Sequence, residues 1–186
     1  MVLARARRQP DKVCVLWLDE LTFYRLPSPA RAWSDGVAPR GPKARLTPGN
    51  NTKGRIGALM NHLTGQVIYL LRSVCGPDPL CQLYHLLRAC YPQAEEIYVI
   101  QDCWPIHFDP RVLHTTARLG IQIVPLPTYS SWRNPIEKLW RCLKQKVIHM
   151  HPLASNWTQL KLEVSLFLDR FSQPSPCLLS YVGLSD

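Results

Sequence analysis

Three carboxylates are spaced so that an α/β chain would bring them to one place. Asp19 ends the apolar run VCVLWL, Asp102 ends the run IYVIQ, and Glu137 lies in the first turn of a helical segment that follows a third apolar run. Active sites of open α/β sheets gather at the carboxyl ends of strands. Carboxylates that converge there raise one another's pKa and cannot all ionise cheaply. A divalent cation relieves that cost. Mg²⁺, with Mn²⁺ as its substitute, prefers oxygen ligands and is commonly held by one or two carboxylates plus water and phosphate oxygens. The chemistry implied is two-metal phosphoryl transfer: one ion activates water or a 3′-hydroxyl and the other stabilises the leaving oxygen. Each carboxylate also has a structural reading. Asn134-Pro135-Ile136-Glu137 has the pattern of a helix capping box. Asp102, shortly before Pro105, suits a turn or an N-cap. Asp19 has a rival in Glu20: strand alternation puts the two on opposite faces, and the pattern leaves open which one meets the site.

The elements that would position these groups follow from hydrophobic periodicity. Residues 13–18 read as a strand buried on both faces. Residues 26–52 hold five prolines and four positive charges, the composition of a long basic loop, with a short strand near Trp33. Residues 54–60 and 66–72 form a hairpin around His62-Leu63-Thr64-Gly65. Residues 79–91 have helical spacing, 97–101 are a second buried strand, 110–119 a short helix and 121–126 a third buried strand. Helices follow over 135–149 and 157–171. The fold class is therefore α/β, a mixed sheet flanked by helices on both faces, in the element order of a ribonuclease H-like sheet.

The 22 Lys and Arg against 13 Asp and Glu give a net charge of +9. Residues 1–55 carry eleven basic and four acidic residues, a net of +7, so the front half is expected to meet a polyanion, most simply nucleic acid. Candidate DNA contacts there are Arg40, Lys43, Arg45 and Lys53. No apolar run is long enough for a membrane span, and MVLARARRQPDK is basic without the apolar core of a secretory signal. Seven cysteines, none in a CxxC pair, argue against a disulfide framework and a structural zinc site. A reducing cytosol fits this cysteine usage best.

The stretches VLWLDELTFYRLP, IYVIQDCWPIHF and LPTYSSWRNPIEKLWRCLKQKV resemble three blocks of DDE transposases, in particular the insertion sequence 630 branch of the mariner-type superfamily. That group has an Asp-Glu pair ending the first strand, an Asp followed five residues on by a His, and a Pro-x-Tyr-Ser-x-x-x-Asn-Pro-Ile-Glu block. Here these fall on Asp19-Glu20, on Asp102 with His107, and on Pro127 to Glu137, with thirty-four residues between Asp102 and Glu137. The resemblance implies that Asp19, Asp102 and Glu137 are the catalytic, metal-binding triad for two Mg²⁺ or Mn²⁺ ions, with Glu20, Cys103, His107 and Asn134 in support. It implies a ribonuclease H-like catalytic domain over residues 13–172, between a basic tail (1–12) and a second tail (173–186). It implies cleavage at transposon ends, strand transfer by the freed 3′-hydroxyl, insertion at TA, and a homodimeric assembly. The chain departs from the pattern at Cys103, where Asn is usual, and at Arg133, where an apolar residue is usual. Eighteen residues before Asp19 are too few for the family's helix-turn-helix, so a separate upstream polypeptide or frameshift product is the expected partner. Two alternatives are a catalytically idle DNA-binding remnant and another ribonuclease H-like nuclease.

Glu137, Arg141 and Lys144 are spaced i, i+4, i+7 on one helix face, which puts two cations where a scissile phosphate would come. The bland counterpart is a solvated face with a weak Glu–Arg pair. His107 suits either a water- or phosphate-positioning role or a structural hydrogen bond. His149 and His151 would point apart, against a metal site. The tryptophans read mostly as core, with Trp104 and Trp132 on loops beside the site and able to stack on a base.

Overall fold

The computed structural model describes residues 2–29, 46–128 and 130–185. Among them, strands β1 (Val13–Tyr24), β2 (Lys53–Asn61), β3 (Val67–Arg72), β4 (Glu96–Gln101) and β5 (Ile121–Pro125) form one sheet in the order β3-β2-β1-β4-β5. β1, β2 and β3 pair antiparallel, and β4 joins β1 and β5 in parallel. The hairpin between β2 and β3 turns on Asn61, whose Oδ1 accepts from the N–H groups of Leu63 and Thr64, and on Gly65 at φ +69°. Parallel pairs need crossovers. These are α2 (Pro77–Cys90) and α3 (Pro110–Arg118), and both pack on one face of the sheet.

That face buries Leu16, Leu18, Leu59 and Val99 under Leu83, Tyr84, Leu87 and Val112. The opposite face buries Trp17, Phe23, Ile56, Tyr98 and Ile100 under α4 (Ile136–Leu143), α5 (Trp157–Asp169) and α6 (Pro176–Val182). Burial on both faces is why VCVLWL is continuously apolar. The mixed sheet with helices on both faces is the architecture expected from the element order.

Several boundaries differ from expectation, each for a physical reason. β1 does not stop at Asp19 but runs on to Tyr24, because β2 pairs with it antiparallel as far as Lys53. The alternation of buried Leu21 and Phe23 marks that extension. β5 is not a strand buried on both faces: it lies at the sheet edge, and Ile121 is its one fully buried residue. The segment 135–149 is not one α-helix. α4 ends at Leu143 and a π-helical turn, Lys144–Ile148, follows. The two ends expected as tails are packed elements. α1 (Val2–Arg8) buries Ala6, and Arg5 reaches across to Glu96 and Tyr98. α6 buries Leu178 and Val182, with Ser175 as its cap, Pro176 in its first turn and left-handed Gly183 at its end. The strand expected near Trp33 lies outside the described residues. No helix among the described residues is long and apolar enough to cross a membrane.

Candidate active site

β1 and β4 run parallel with Trp17 opposite Ile100. Two residues farther along each strand lie Asp19 and Asp102, at the end of a strand pair whose axes are about 4.8 Å apart. Paired positions share a face and successive pairs alternate. Trp17 and Ile100 face α4, whereas Leu16 and Val99 face α2. Continued alternation puts Asp19 on the α4 side and Glu20 on the α2 side, the choice the sequence pattern leaves open. The contacts agree. Asp19 Oδ2 accepts from the indole N–H of Trp140 in α4 at 3.0 Å, and Oδ1 accepts from the Glu20 backbone N–H at 2.8 Å. Burial pushes the Asp19 carboxyl up to about 7, and the negative charge of Glu137 adds to the push; the two N–H donors oppose it.

Glu137 reaches this position through Asn134. The Asn134 side-chain N–H donates to the Leu18 carbonyl at 2.8 Å, and its Oδ1 accepts from Ile136 N–H at 3.3 Å. One buried side chain therefore ties the entry of α4 to β1, one residue before Asp19. The expected capping box is not made: the N-cap of α4 is Pro135, Asn134 closes the turn ahead of it, and the exposed Glu137 carboxylate has no hydrogen-bond partner among the described residues. Capping does not account for the carboxylate.

On the other face, His107 is 1% exposed. Its Nε2 lies 3.0 Å from Glu20 Oε1, and its Nδ1 lies 3.1 Å from both the backbone oxygen and Oδ1 of Asp102. Both ring nitrogens meet acceptors, so the ring donates from both as an imidazolium. Burial opposes that charge, but the hydrogen bond and charge of Glu20, followed by those of Asp102, outweigh it and raise the His107 pKa. His107 therefore does not face a phosphate. It clamps Glu20 to Asp102 from inside. Asp102 Oδ1 also accepts from Trp104 N–H at 3.0 Å, the turn role its sequence context suggests. The exposed Cys103 turns its thiol toward β5, donating to the Leu126 carbonyl at 3.4 Å.

An open cleft of about 390 Å³ on the α4 side is lined by Trp132, Glu137, Arg141, Lys144, Gln145 and His149. The helix-face expectation for Arg141 and Lys144 thus meets Glu137 in one cleft, and Glu137 forms no ion pair with Arg141 among the described residues. Gln145 and His149 were missed, although Gln145, at i+8 from Glu137, continues the same helical stripe. Trp140, read only as core, is also an Asp19 partner. His149 Nδ1 lies 2.7 Å from Ser28 Oγ, while buried His151 Nδ1 accepts from Leu153 N–H, so the two histidines do point apart. Lys53 sits exposed at the start of β2, outside the cleft lining, and Arg40, Lys43 and Arg45 lie outside the described residues. Among the described residues, no three His, Cys, Asp or Glu side chains stand close enough to enclose one metal ion.

Residues 14–161 match the DDE superfamily endonucleases. An uncharacterized 39 kDa protein of insertion element IS630 from Shigella sonnei is 28% identical over 163 residues, which is 85% of this chain and 45% of that protein. The Mos1 transposase paired-end complex with left transposon end shares the fold with a TM-score of 0.65 at 16% identity, over 98% of this chain and 54% of that one. The mariner Mos1 paired end complex with Mg gives 0.66 at 15% identity, over 98% and 56%. The chain spans about half the length of each. With a family match over most of its length, and a sheet shared with these transposase structures, this chain belongs to the DDE superfamily endonucleases.

Proposed function

We propose that this chain cleaves DNA phosphodiesters at transposon ends and joins the freed 3′-hydroxyl to target DNA, with Asp19, Asp102 and Glu137 as its catalytic carboxylates. The observation that carries this reading is Glu137: a carboxylate without a hydrogen-bond partner among the described residues, held beside the partly buried Asp19 by the Asn134 bridge, in a cleft with Arg141 and Lys144. Fold stability gives no reason to hold two like charges together there. A ligand of opposite charge does.

The donor set fits a hard divalent cation, since all three groups offer carboxylate oxygens and none offers sulfur. An ion of this kind needs only one or two carboxylates at a time, so a closed three-carboxylate cage is not required. Asp19 with Glu137 would hold one such ion, and Asp102 would contribute to the second. Mg²⁺ or Mn²⁺, once bound, supplies Lewis-acid activation of the attacking oxygen and charge neutralisation at the leaving one. The chain's own residues do the rest. Trp140 and the Glu20 N–H fix the Asp19 carboxylate, and the His107–Glu20 pair fixes Asp102. Arg141, with its planar fork of donors, and Lys144, as a compact charge, would hold the phosphate. Pairing with a second copy and with a separate end-reading polypeptide belongs to the same proposal.

The test is Glu137→Gln. Gln keeps the shape and the helix propensity but not the charge. Nicking of supercoiled DNA with Mg²⁺ should fall at least about a hundredfold, with stability within about 0.5 kcal/mol of wild type. Retained nicking would remove Glu137 from the reaction and take the triad with it.

A further inference from the structure

Trp132 is 74% exposed. It stands in the short turn Ser131–Arg133 on the rim of the cleft that holds Glu137, Arg141 and Lys144. Its backbone is not loose. Arg133 N–H donates to the Ser130 carbonyl at 2.9 Å, and the next residue is the buried, doubly bonded Asn134. The Arg133 guanidinium lies 5.1 Å from the Trp132 ring centroid and covers one of its faces. An anchored indole with a cation behind it, next to two further cations in a cleft, matches a ligand that is flat at one end and anionic at the other.

We propose that Trp132 stacks on an unpaired nucleobase adjacent to a phosphate held by Arg141 and Lys144, so that the cleft selects DNA whose strands are locally open. The inference rests on the DNA-cleaving reading above and adds a specificity residue to it. In an intact duplex each base face is already covered by its neighbours, and the indole finds nothing to stack on. A frayed end, a flap or a flipped base offers a free π-face, and base–aromatic stacking is indifferent to which base it is. The preference is therefore for structure, not for sequence. Trp132 and Arg133 act as a pair: the guanidinium stiffens the indole and its charge adds to the phosphate attraction.

Fluorescence anisotropy without divalent ions tests this, with the Glu137→Gln chain and two labelled DNAs: a fully paired duplex, and the same duplex with a short single-stranded tail. The expected result is about tenfold tighter binding of the tailed DNA, the size of one stacked base. Trp132→Ala should abolish the difference while leaving duplex binding in place, and Trp132→Phe should keep most of it. Indole emission should quench on the tailed DNA, and Trp132→Ala should lose that quench. Trp132 is on the surface, so the Ala variant should melt with its parent. Equal binding of both DNAs by the parent overturns this inference alone. So does a Trp132→Ala loss that is the same for both. Failure of the parent to bind either DNA overturns the DNA-cleaving reading as well.

Discussion

Asp19 and Glu20 are neighbours on one strand, yet they live in opposite electrostatic worlds. Glu20 points to the α2 face, where the buried His107 imidazolium answers its charge and that of the half-exposed Asp102. Asp19 points to the α4 face, where the negative charge of Glu137 adds to the effect of burial and the cleft beside them is open. One face is internally neutralised. On the other, Asp19 and Glu137 form no ion pair among the described residues, although Arg141 and Lys144 share the cleft with Glu137. The difference separates support from site: a buried charge that finds its partner within the fold holds geometry, whereas one left unpartnered beside a cleft is stable only at the cost of a raised pKa or with a ligand.

That contrast is most easily broken at His107. Removing one partner of a buried ion pair leaves the other uncompensated. His107→Ala should destabilise the chain by about 2–4 kcal/mol, and Glu20→Ala by a similar amount. The double variant should cost less than the sum, because the two losses are the same loss. The pH dependence has a definite sign. The folded pKa of His107 is raised, so its stabilisation is fully present below the ordinary histidine pKa and fades as pH rises through the folded value. His107→Gln should flatten that alkaline limb in urea unfolding. A limb unchanged in the variant would mean that the ring is neutral in the fold and that the pair is not ionic.

Asp19 sharpens the contrast from the other face. Its carboxyl is pushed up to about 7 from an ordinary value near 4. Between those values the folded chain holds a proton that the unfolded chain has released, so stability falls as pH rises across that window. Asp19→Asn removes the charge and should be more stable than wild type above neutrality, by on the order of 2 kcal/mol, with the gain vanishing near pH 4. Glu137→Gln should recover a smaller part of it. Mg²⁺ should raise the wild-type melting temperature more above pH 7 than at pH 5, and Asp19→Asn should lose that gain. Wild type and Asp19→Asn with parallel stability–pH curves would show that the α4-side charges are answered after all.

The sheet was legible in the sequence because both of its faces are buried, and continuous apolar runs as short as VCVLWL and IYVIQ are what a strand covered on both sides requires. The element order and the hairpin around residues 62–65 followed from the same patterning. What stayed hidden was decided by tertiary contact. Strand alternation states that Asp19 and Glu20 diverge, but only the packing of Trp140 on one side and His107 on the other says which goes where. The edge position of β5 depends on which strand is its neighbour, and its composition does not reveal that. The terminal helices were readable in part, since Ser175-Pro176 and Gly183 are start and stop signals, but short helices on a basic or polar end look like tails until their buried side chains find a partner. His107 illustrates the limit best. Its type and spacing leave a phosphate-positioning role and a structural hydrogen bond both open, and only its buried contacts to Glu20 and Asp102 make it the latter.

The smallest expected effect lies at Cys103, on the boundary between the two faces. Its thiol donates to the Leu126 carbonyl at 3.4 Å, a weak bond that joins the ends of β4 and β5 next to Asp102. A thiol is a poor donor and offers little as an acceptor. Asn at this position brings an amide N–H able to make the same bond at full strength, and a spare carbonyl oxygen turned to water or phosphate. Cys103→Asn should therefore raise stability by about 0.5–1 kcal/mol, the net worth of one better hydrogen bond. It should also raise Mg²⁺-dependent nicking a few-fold, below the ~10–100-fold range of partners that touch a metal ligand directly. The comparison belongs at limiting Mg²⁺, where a poorly held Asp102 costs most, and it gains from a His107→Gln background. If the Asp102 turn is held only by the His107 clamp, Cys103→Asn will change nothing in the wild type and rescue nothing in the variant. If both sides hold it, Asn will recover part of the activity that His107→Gln has lost. Cleavage rates of the four chains therefore decide whether Asp102 belongs wholly to the neutralised face or is shared between the two.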